Sequence, residues 1–281
     1  MKKAAVINDL SSFGRCSLTA AIPVISALGV ECCPLVTGVF SNQTDYDSYY
    51  GKDLTDFMTP CINQWKKMKF SFDAVLTGYI ASTRQGKIIS DMIDSFSSGD
   101  TLIVVDPVMG DDGKAYKDFG EDRIKSVKAL TKKAHIITPN LTELCMLNGE
   151  NYEALCKLPE KELFQAIEKL SRSIYKAPLK AVITTGIHLQ DKIANTVYKD
   201  GKLEILTVDF KGERFSGTGD IFSSFITAQC VKGKDVTEAV KSVSEFICKA
   251  IEITKKDTDE NYNKNDGVHF EKILYTLGEY I

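Results

Sequence analysis

Short β-branched apolar runs alternate with longer amphipathic stretches along most of the 281 residues, and this alternation limits the fold more than any other feature. The run TLIVVD at Thr101–Asp106 is continuous and β-branched, as expected for a strand that is covered on both faces. Thr83–Phe96 instead carries its apolar residues at helical spacing. An alternation of strands and helices predicts an α/β fold around a mainly parallel sheet.

The same patterns assign the remaining elements. The predicted strands are Ala4–Asn8, Cys32–Thr37, Ala74–Thr77, Thr101–Asp106, Ile136–Thr138, Ala181–Thr185 and an antiparallel hairpin of Ile193–Tyr198 and Leu203–Phe210. The predicted helices are Arg15–Leu28, Gly51–Lys67, Thr83–Phe96, Asp122–Leu130, one that starts at Asn140, Lys161–Tyr175, Asp220–Val231 and Asp235–Ile253. A polar loop, Lys255–Gly267, precedes a last short helix. Because no linker or repeat divides the chain, we expect one domain over residues 1–281, a three-layer sandwich with helices on both faces of the sheet.

Composition excludes several classes of protein. The net charge of −3, with lysine and arginine spread along the chain, offers no basic patch for nucleic acid. Eight cysteines without a CxxC pair, and three scattered histidines, favour free thiols in a reducing cytoplasm over disulfides or a zinc site. The longest uncharged run, Cys16–Val30, is shorter than the ~20 residues that cross a bilayer. We therefore expect a cytoplasmic protein without a nucleic-acid or membrane partner.

Polar residues follow six consecutive predicted strands. The segments are NDLSSFG, TGVFSNQTDY, LTGY, DPVMGDDG, TPNLTE and TTG. Ligands of open α/β sheets bind outside the carboxyl ends of the strands, so these segments predict a binding site. Asp106, Asp111 and Glu143 fall on this rim, and gathered carboxylates repel one another unless a cation such as Mg²⁺ lies among them. A helix cap or a salt bridge remains the alternative role for Asp106.

The stretch GERFSGTGDIFSSFITAQC, residues Gly212–Cys230, concentrates glycine where a helix is predicted to start. Gly217 and Gly219 would leave backbone N–H groups bare at the first turn of that helix, which suits an anion. Asp220 would repel a phosphate unless it also receives a proton from the attacking hydroxyl, as the orienting carboxylate does in phosphoryl transfer. A glycine turn with a capping aspartate explains this stretch equally well. No GxxxxGK[ST] loop and no HRD or DFG motif offers another phosphate site, since GDDGKA at Gly110–Ala115 lacks the spacing.

Several of these motifs together resemble a known family. FSGTGDIF resembles the carboxyl-terminal signature of the ribokinase superfamily, and DPVMGDDG and ITPNLTE resemble its middle motifs. VFSNQTDY and VLTGY are similar to the substrate-side elements of pyridoxal kinases, and the motifs keep the family's order from about Val6 to Ile251. The resemblance implies a ribokinase-like fold without a β lid. It also implies an ATP-dependent kinase of pyridoxal, pyridoxamine or pyridoxine.

The resemblance also implies roles for individual residues. Asp220 would deprotonate the 5′-hydroxymethyl group, while Gly217, Thr218 and Gly219 cradle the transferred phosphate. The residues implied for the substrate are Asn8, Thr44, Tyr79 and Asp220. Those implied for ATP are Asp106, Asp111, Asn140, Glu143, Thr184, Thr185 and Thr218, with Asp106 and Glu143 also at Mg²⁺. The loop Gly110–Gly120 matches a flap over ATP, and family members are cytoplasmic homodimers that K⁺ often assists.

Two departures keep other functions open. Asn8 and Asp9 stand where several pyridoxal kinases have a substrate-contacting serine, and Asp45 stands where a small residue is expected. A hydroxymethylpyrimidine kinase is the nearest alternative, although its usual glycine-rich segment after the first strand is reduced here to Gly14. A sugar kinase would need an early β lid, which the sequence does not show. A non-catalytic nucleotide or pyridoxal-phosphate binder is disfavoured because Asp220 and Glu143 are both present.

Overall fold

A mixed β-sheet forms the centre of the molecule, and its strands follow the predicted apolar runs. The computed structural model describes residues 1–117, 119–210 and 214–280. Within these ranges the strands are β1 (Lys3–Ser11), β2 (Glu31–Phe40), β3 (Gly51–Asp53), β4 (Ala74–Thr77), β5 (Leu102–Val105), β6 (Gly110–Asp111), β7 (Lys114–Ala115), β8 (Ile136–Ile137), β9 (Ala181–His188), β10 (Lys192–Lys199) and β11 (Lys202–Asp209). The sheet order over the same residues is β11-β10-β9-β8-β5-β4-β1-β2-β3, with β6 and β7 in a separate hairpin.

Helices connect and cover these strands. They are α1 (Ser17–Ala27), α2 (Thr55–Lys67), α3 (Thr83–Phe96), α4 (Glu121–Thr131), α5 (Leu141–Asn148), α6 (Tyr152–Cys156), α7 (Glu160–Ile174), α8 (Thr218–Val231) and α9 (Val236–Asp257). Two 3-10 segments follow, Lys264–Asp266 and Phe270–Tyr280. In the described part of the chain, no helix combines the length and the apolar character that crossing a bilayer requires.

The sheet is parallel in its centre and antiparallel at both edges. β2, β1, β4, β5, β8 and β9 pair in parallel. The late hairpin of β10 and β11 adds an antiparallel edge, as predicted from its alternating sequence around Asp200 and Gly201. The opposite edge carries β3, which pairs antiparallel with β2. Six adjacent parallel strands therefore bring their carboxyl ends to the same side of the molecule.

Two apolar cores lie on opposite faces of this sheet and make the molecule three-layered. On one face α1, α8 and α9 pack together around residues such as Leu18, Phe225 and Val243. On the other face α2, α3, α4, α5 and α7 cover residues such as Ile89, Leu144 and Ile167. The predicted three-layer α/β sandwich is confirmed, since side chains that alternate along each central strand supply both cores.

Several predicted boundaries differ from the structure. The helix predicted over Gly51–Lys67 begins only at Thr55, because Gly51–Asp53 joins the sheet edge and the Asp53 carboxylate accepts the Thr55 N–H at 2.6 Å. Helix α6 and the β6–β7 hairpin were not predicted, since both are too short for periodicity to reveal. The last predicted helix is a 3-10 segment. Gly212 and Glu213 of the glycine-rich stretch and Asp118 of the predicted flap lie outside the described residues.

Candidate active site

The carboxyl ends of the parallel strands open into a cavity of about 800 Å³. A cavity of this size accommodates a nucleotide-sized ligand together with a small second molecule. Its walls include Asn8, Thr44, Tyr79, Asp106, Asp111, Asn140, Glu143, Thr185, Gly217, Thr218, Gly219 and Asp220. All of these residues were singled out in the sequence. Thr184, also predicted, lies outside the lining, because it is fully buried in β9 and neighbouring side chains of a strand point to opposite faces.

The turn before α8 is shaped to expose backbone amides to the cavity. Gly217 caps the helix with φ of 78°, a left-handed conformation that favours glycine. A Cβ atom on Gly217 would lie 1.8 Å from the carbonyl oxygen of Arg15, so this turn packs directly against the chain that enters α1. The first turn of α8 leaves its N–H groups without helical partners and carries the positive end of the helix dipole. The turn therefore offers a site for an anion.

Asp220 lies in that first turn, and groups from the start of the chain stabilise its carboxylate. The Asn8 side-chain amide donates to Oδ1 at 2.9 Å, and the backbone N–H of Ser17 at the start of α1 favours the charged form. Burial raises the pKa of Asp220 to about 6, and the charge of Asp9 adds to the increase, whereas the Ser17 amide and Asn8 oppose it. Asp220 is therefore a carboxylate at neutral pH that is more basic than an ordinary aspartate.

Asn8 is held by contacts that the sequence did not reveal. Its Oδ1 accepts the backbone N–H of Asp9 at 3.0 Å and that of Tyr79 at 2.9 Å. The missing side chain of Gly78 makes room for it, since a Cβ there would lie 2.6 Å from Asn8 Nδ2. Asn8 thus orients Asp220, and the LTGY motif supplies the space for this contact.

Asp106 and Glu143 form the acidic part of the cavity, and both are buried. Glu143 accepts the backbone N–H of Met109 at 3.0 Å through Oε1 and that of Asn140 at 2.9 Å through Oε2. Asn140 accepts the Glu143 N–H in return, which forms a capping box at the start of α5. The Asn140 amide also donates to the carbonyl of Gly110 at 2.8 Å, which ties α5 to the β6–β7 hairpin.

The chemistry of these two carboxylates fits Mg²⁺. Burial and the nearby charge of Asp220 raise the pKa of Asp106, and burial and the charge of Asp106 raise that of Glu143. Over residues 1–117, 119–210 and 214–280 no group of three or more His, Cys, Asp or Glu could enclose a metal ion. One or two carboxylates are nevertheless enough for Mg²⁺, which keeps several waters and prefers oxygen ligands. Burial is the larger cause of both increases, and a cation there would offset the charge repulsion that adds to them.

Aromatic side chains form part of the cavity wall. The Tyr79 ring makes edge contacts with Phe40 and Phe119, each with a centroid distance of 5.8 Å. Thr44 lies in the loop after β2, where Gln43 and Asp45 fix the backbone through a 3.0 Å side-chain bond and a 2.7 Å bond to the Asp45 N–H. A flat aromatic ligand suits this combination of rings and a polar edge.

The sequence missed residues that reach the cavity from distant parts of the chain. The loop predicted as merely polar folds back here, because Asn265 donates to the Asp45 carbonyl at 3.1 Å and the Lys264 carbonyl accepts the Ser216 N–H at 3.1 Å. Arg214 donates from Nε to His188 Nε2 at 2.7 Å. Its guanidinium also pairs with Asp112 and lies 3.6 Å from Asp111, so it joins the hairpin to β9. A single arginine and a polar loop carry no local signal of such contacts.

Comparisons with known proteins agree on one family. The profile of the family described as phosphomethylpyrimidine kinase matches residues 12–266. A structure from Bacteroides thetaiotaomicron, provisionally named a phosphomethylpyrimidine kinase and determined with pyridoxal, is 37% identical with a TM-score of 0.90 and covers 98% of this chain and 95% of that one. The hydroxymethylpyrimidine/phosphomethylpyrimidine kinase of Aquifex aeolicus is 28% identical over 257 residues, which are 90% of this chain and 91% of that protein. The pyridoxal kinase of Leifsonia xyli is 26% identical over 276 residues, which are 89% and 90%.

Proposed function

The chain belongs to the phosphomethylpyrimidine kinase family, and on that premise we propose that it is a pyridoxal kinase whose single domain spans residues 1–281. It transfers the γ-phosphoryl group of ATP to the 5′-hydroxymethyl oxygen of pyridoxal, pyridoxamine or pyridoxine. One observation carries this assignment: Asp220, with a pKa of about 6, lies in the first turn of α8 beside the open amides that follow Gly217. A base next to an anion site is what transfer of a phosphoryl group to an alcohol requires.

The reaction follows from this geometry. The hydroxyl oxygen forms a bond to the γ-phosphorus while the bond to the bridging oxygen of ADP breaks, and Asp220 takes the hydroxyl proton. The amides from Gly217 to Gly219, with Thr218, stabilise the negative charge of the transferred group. Mg²⁺, when bound, neutralises charge on the phosphates, and Asp106 and Glu143 would hold it, partly through water.

The two substrates divide the cavity between them. Thr44 would donate a hydrogen bond to the pyridine ring, and Tyr79 would cover its face. The Bacteroides relative that was determined with pyridoxal supports this substrate, since the two chains align over nearly their whole length. Asp111, Asn140 and Thr185 also line the cavity. ATP would lie against them, beneath the flap Gly110–Gly120.

We further propose a cytoplasmic homodimer that a monovalent cation such as K⁺ assists, as the resemblance to pyridoxal kinases implies. Light scattering of the purified protein measures the mass of the assembly. Replacing KCl by choline chloride in the ADP-release assay described below tests the need for the cation. We expect the turnover rate to fall when K⁺ is removed.

A coupled ADP-release assay with Mg²⁺ and ATP tests the function. It compares pyridoxal, pyridoxamine, pyridoxine, hydroxymethylpyrimidine and ribose, with EDTA as the control for Mg²⁺. We expect the highest kcat/KM with the pyridine alcohols. Turnover of hydroxymethylpyrimidine alone would support the second candidate, which the family description and the Aquifex relative favour. No turnover with any of the five alcohols would favour a nucleotide or pyridoxal-phosphate binding protein.

Replacing Asn8 by alanine is expected to lower kcat about 10-fold to 100-fold for every pyridine substrate, because a hydrogen bond to a charged group is lost. Asn8 lowers the pKa of Asp220, so its loss should raise that pKa. The decrease of kcat/KM at acid pH should then begin above pH 6. Asn8→Ser is the matched control, because serine can still donate a hydrogen bond. Asn8 stands where several pyridoxal kinases have a substrate-contacting serine, so we also propose that it helps to select the substrate form. An unchanged ratio of kcat/KM between pyridoxal and pyridoxamine in both variants would remove that role.

A further inference from the structure

Ser17, the first residue of α1, has an unusual backbone conformation beside Asp220. Its φ is 49°, in the left-handed region that residues with a Cβ atom rarely adopt. Such a conformation persists only where the surrounding structure enforces it, and it often occurs at functional sites. Ser17 lines the cavity together with Asp220, and its N–H favours the charged form of the Asp220 carboxylate. The direction of that N–H depends on the rotation about the Ser17 N–Cα bond.

A buried carboxylate holds the Ser17 side chain. Asp9 is 5% exposed, and its Oδ1 accepts the Ser17 hydroxyl at 2.6 Å. Its Oδ2 accepts the Ser11 hydroxyl at 2.9 Å. The catalytic steps derived above do not use Asp9, although burying an aspartate is unfavourable and raises its pKa. A buried charge of this kind needs a reason.

We propose that Asp9 is a positioning residue for the catalytic base: by holding the Ser17 hydroxyl it keeps Ser17 in the left-handed conformation, and so directs the Ser17 N–H at Asp220. This role rests on the proposed kinase function, in which Asp220 receives the proton. The contacts run in sequence from Asp9 to the Ser17 side chain, through the Ser17 backbone, to Asp220.

Direct contact between Asp9 and the substrate is the competing role, because Asp9 also lines the cavity. Both of its oxygens already accept hydroxyl groups from the protein, and little of the side chain is exposed. The two roles differ in one consequence. If Asp9 acts through the Ser17 backbone, it becomes dispensable once residue 17 adopts a positive φ without help.

Glycine at position 17 provides that condition, since it adopts positive φ at little cost. Asp9→Ala alone should lower kcat about 10-fold to 100-fold, the effect expected when a catalytic group is misplaced, and change the KM for ATP less than about threefold. Ser17→Gly keeps the backbone N–H and should retain more activity than Ser17→Ala, and Asp9→Ala combined with Ser17→Gly should lie within about threefold of Ser17→Gly alone. A double variant as impaired as Asp9→Ala would overturn the positioning role.

Ser17→Ala is the matched control, because it loses the hydroxyl without gaining the freedom of glycine. It should lose activity as Asp9→Ala does, and it tests the idea even if Asp9→Ala fails to fold. The groups that act on the pKa of Asp220 are Asp9, Asn8 and the Ser17 amide, with Asp106 and Cys16 nearby. Ser17→Ala keeps the Asp9 charge, so its acid limb should move to higher pH while that of Ser17→Gly stays in place. Equal activity and equal pH profiles in the two variants would contradict the proposal.

A titration that needs no turnover separates this inference from the proposed function. The carboxyl ¹³C resonance of Asp220 in the unliganded protein reports its pKa directly. A higher pKa in Ser17→Ala than in Ser17→Gly would support the positioning of Asp220 even if no pyridine alcohol were phosphorylated. The same pKa in both variants would overturn it, whatever the substrate.

Discussion

Replacing Asp220 by alanine is expected to lower kcat for phosphorylation of the pyridine alcohol about 10³-fold while ATP still binds. General-base catalysis accounts for a loss of this size, because Asp220 is the carboxylate that Asn8 orients at the anion turn. Steady-state kinetics gives kcat, and calorimetry of ATP binding to the variant gives its affinity. A near-normal kcat would show that Asp220 is not the base.

Asp220→Asn is the matched control, since an asparagine oxygen can still accept the Asn8 amide at the position of Oδ1. It keeps the shape of the first turn and removes only the basicity. Wild-type kcat/KM should fall as the pH decreases through about 6, where Asp220 becomes protonated, and the asparagine variant should lack this limb. If the variant retained the limb, another group would be responsible for it.

The raised pKa of Asp220 also has a consequence for stability. Its pKa is about 6 in the folded protein, against 3.8 for an ordinary aspartate, so folding disfavours the charged form. The unfavourable contribution of Asp220 to folding is absent below pH 3.8, the pKa in the unfolded chain. It grows as the pH rises from there to about 6 and is complete above that pH. Asp220→Asn should therefore unfold at a higher temperature than the wild type at pH 7, with a smaller difference at pH 4.

Most strands of the sheet could be predicted because the pattern of their own residues indicates a strand. Thr101–Asp106 is apolar enough to be buried on both faces, and Ile193–Tyr198 alternates as an edge strand does. Gly51–Asp53 could not be assigned from its own residues, since only pairing with β2 makes this segment a strand. Short pieces that depend on a neighbour for their hydrogen bonds carry no periodicity of their own.

The site could be predicted in part for the same reason. Motifs that follow strand ends had to meet at one edge of the sheet, and nearly all the residues singled out there do line one cavity. Arg214 and Asn265 were missed because their contacts join segments far apart in sequence. The link from Asp9 to Asp220 was missed because it depends on the backbone conformation of Ser17, which no residue type reveals. Side-chain chemistry is visible in a sequence, whereas backbone direction at a single residue is not.

Gly217→Ala is expected to have the second large effect, on both folding and catalysis. The new Cβ would lie 1.8 Å from the Arg15 carbonyl, at a φ of 78° that alanine disfavours. Relief requires movement of either α8 or the chain before α1, so we expect a loss of about 3 kcal/mol in the free energy of unfolding. The Gly217→Ala protein that does fold should have its kcat/KM lowered about 10²-fold, because the backbone amides of the turn no longer face the phosphoryl group. Urea denaturation and steady-state kinetics measure the two effects.

Gly219→Ala is the control within the same turn. A Cβ there meets no atom within 4 Å and φ is not positive, so the unfolding free energy should be unchanged or higher by up to about 1 kcal/mol. The open space above Gly219 belongs to the cavity, and a methyl group would occupy part of the volume proposed for the phosphate. A stable Gly219→Ala protein with a raised KM for ATP would place the phosphate against this turn. Wild-type kinetics in both glycine variants would mean that the phosphoryl group is held elsewhere, and the proposed role of the turn would be wrong.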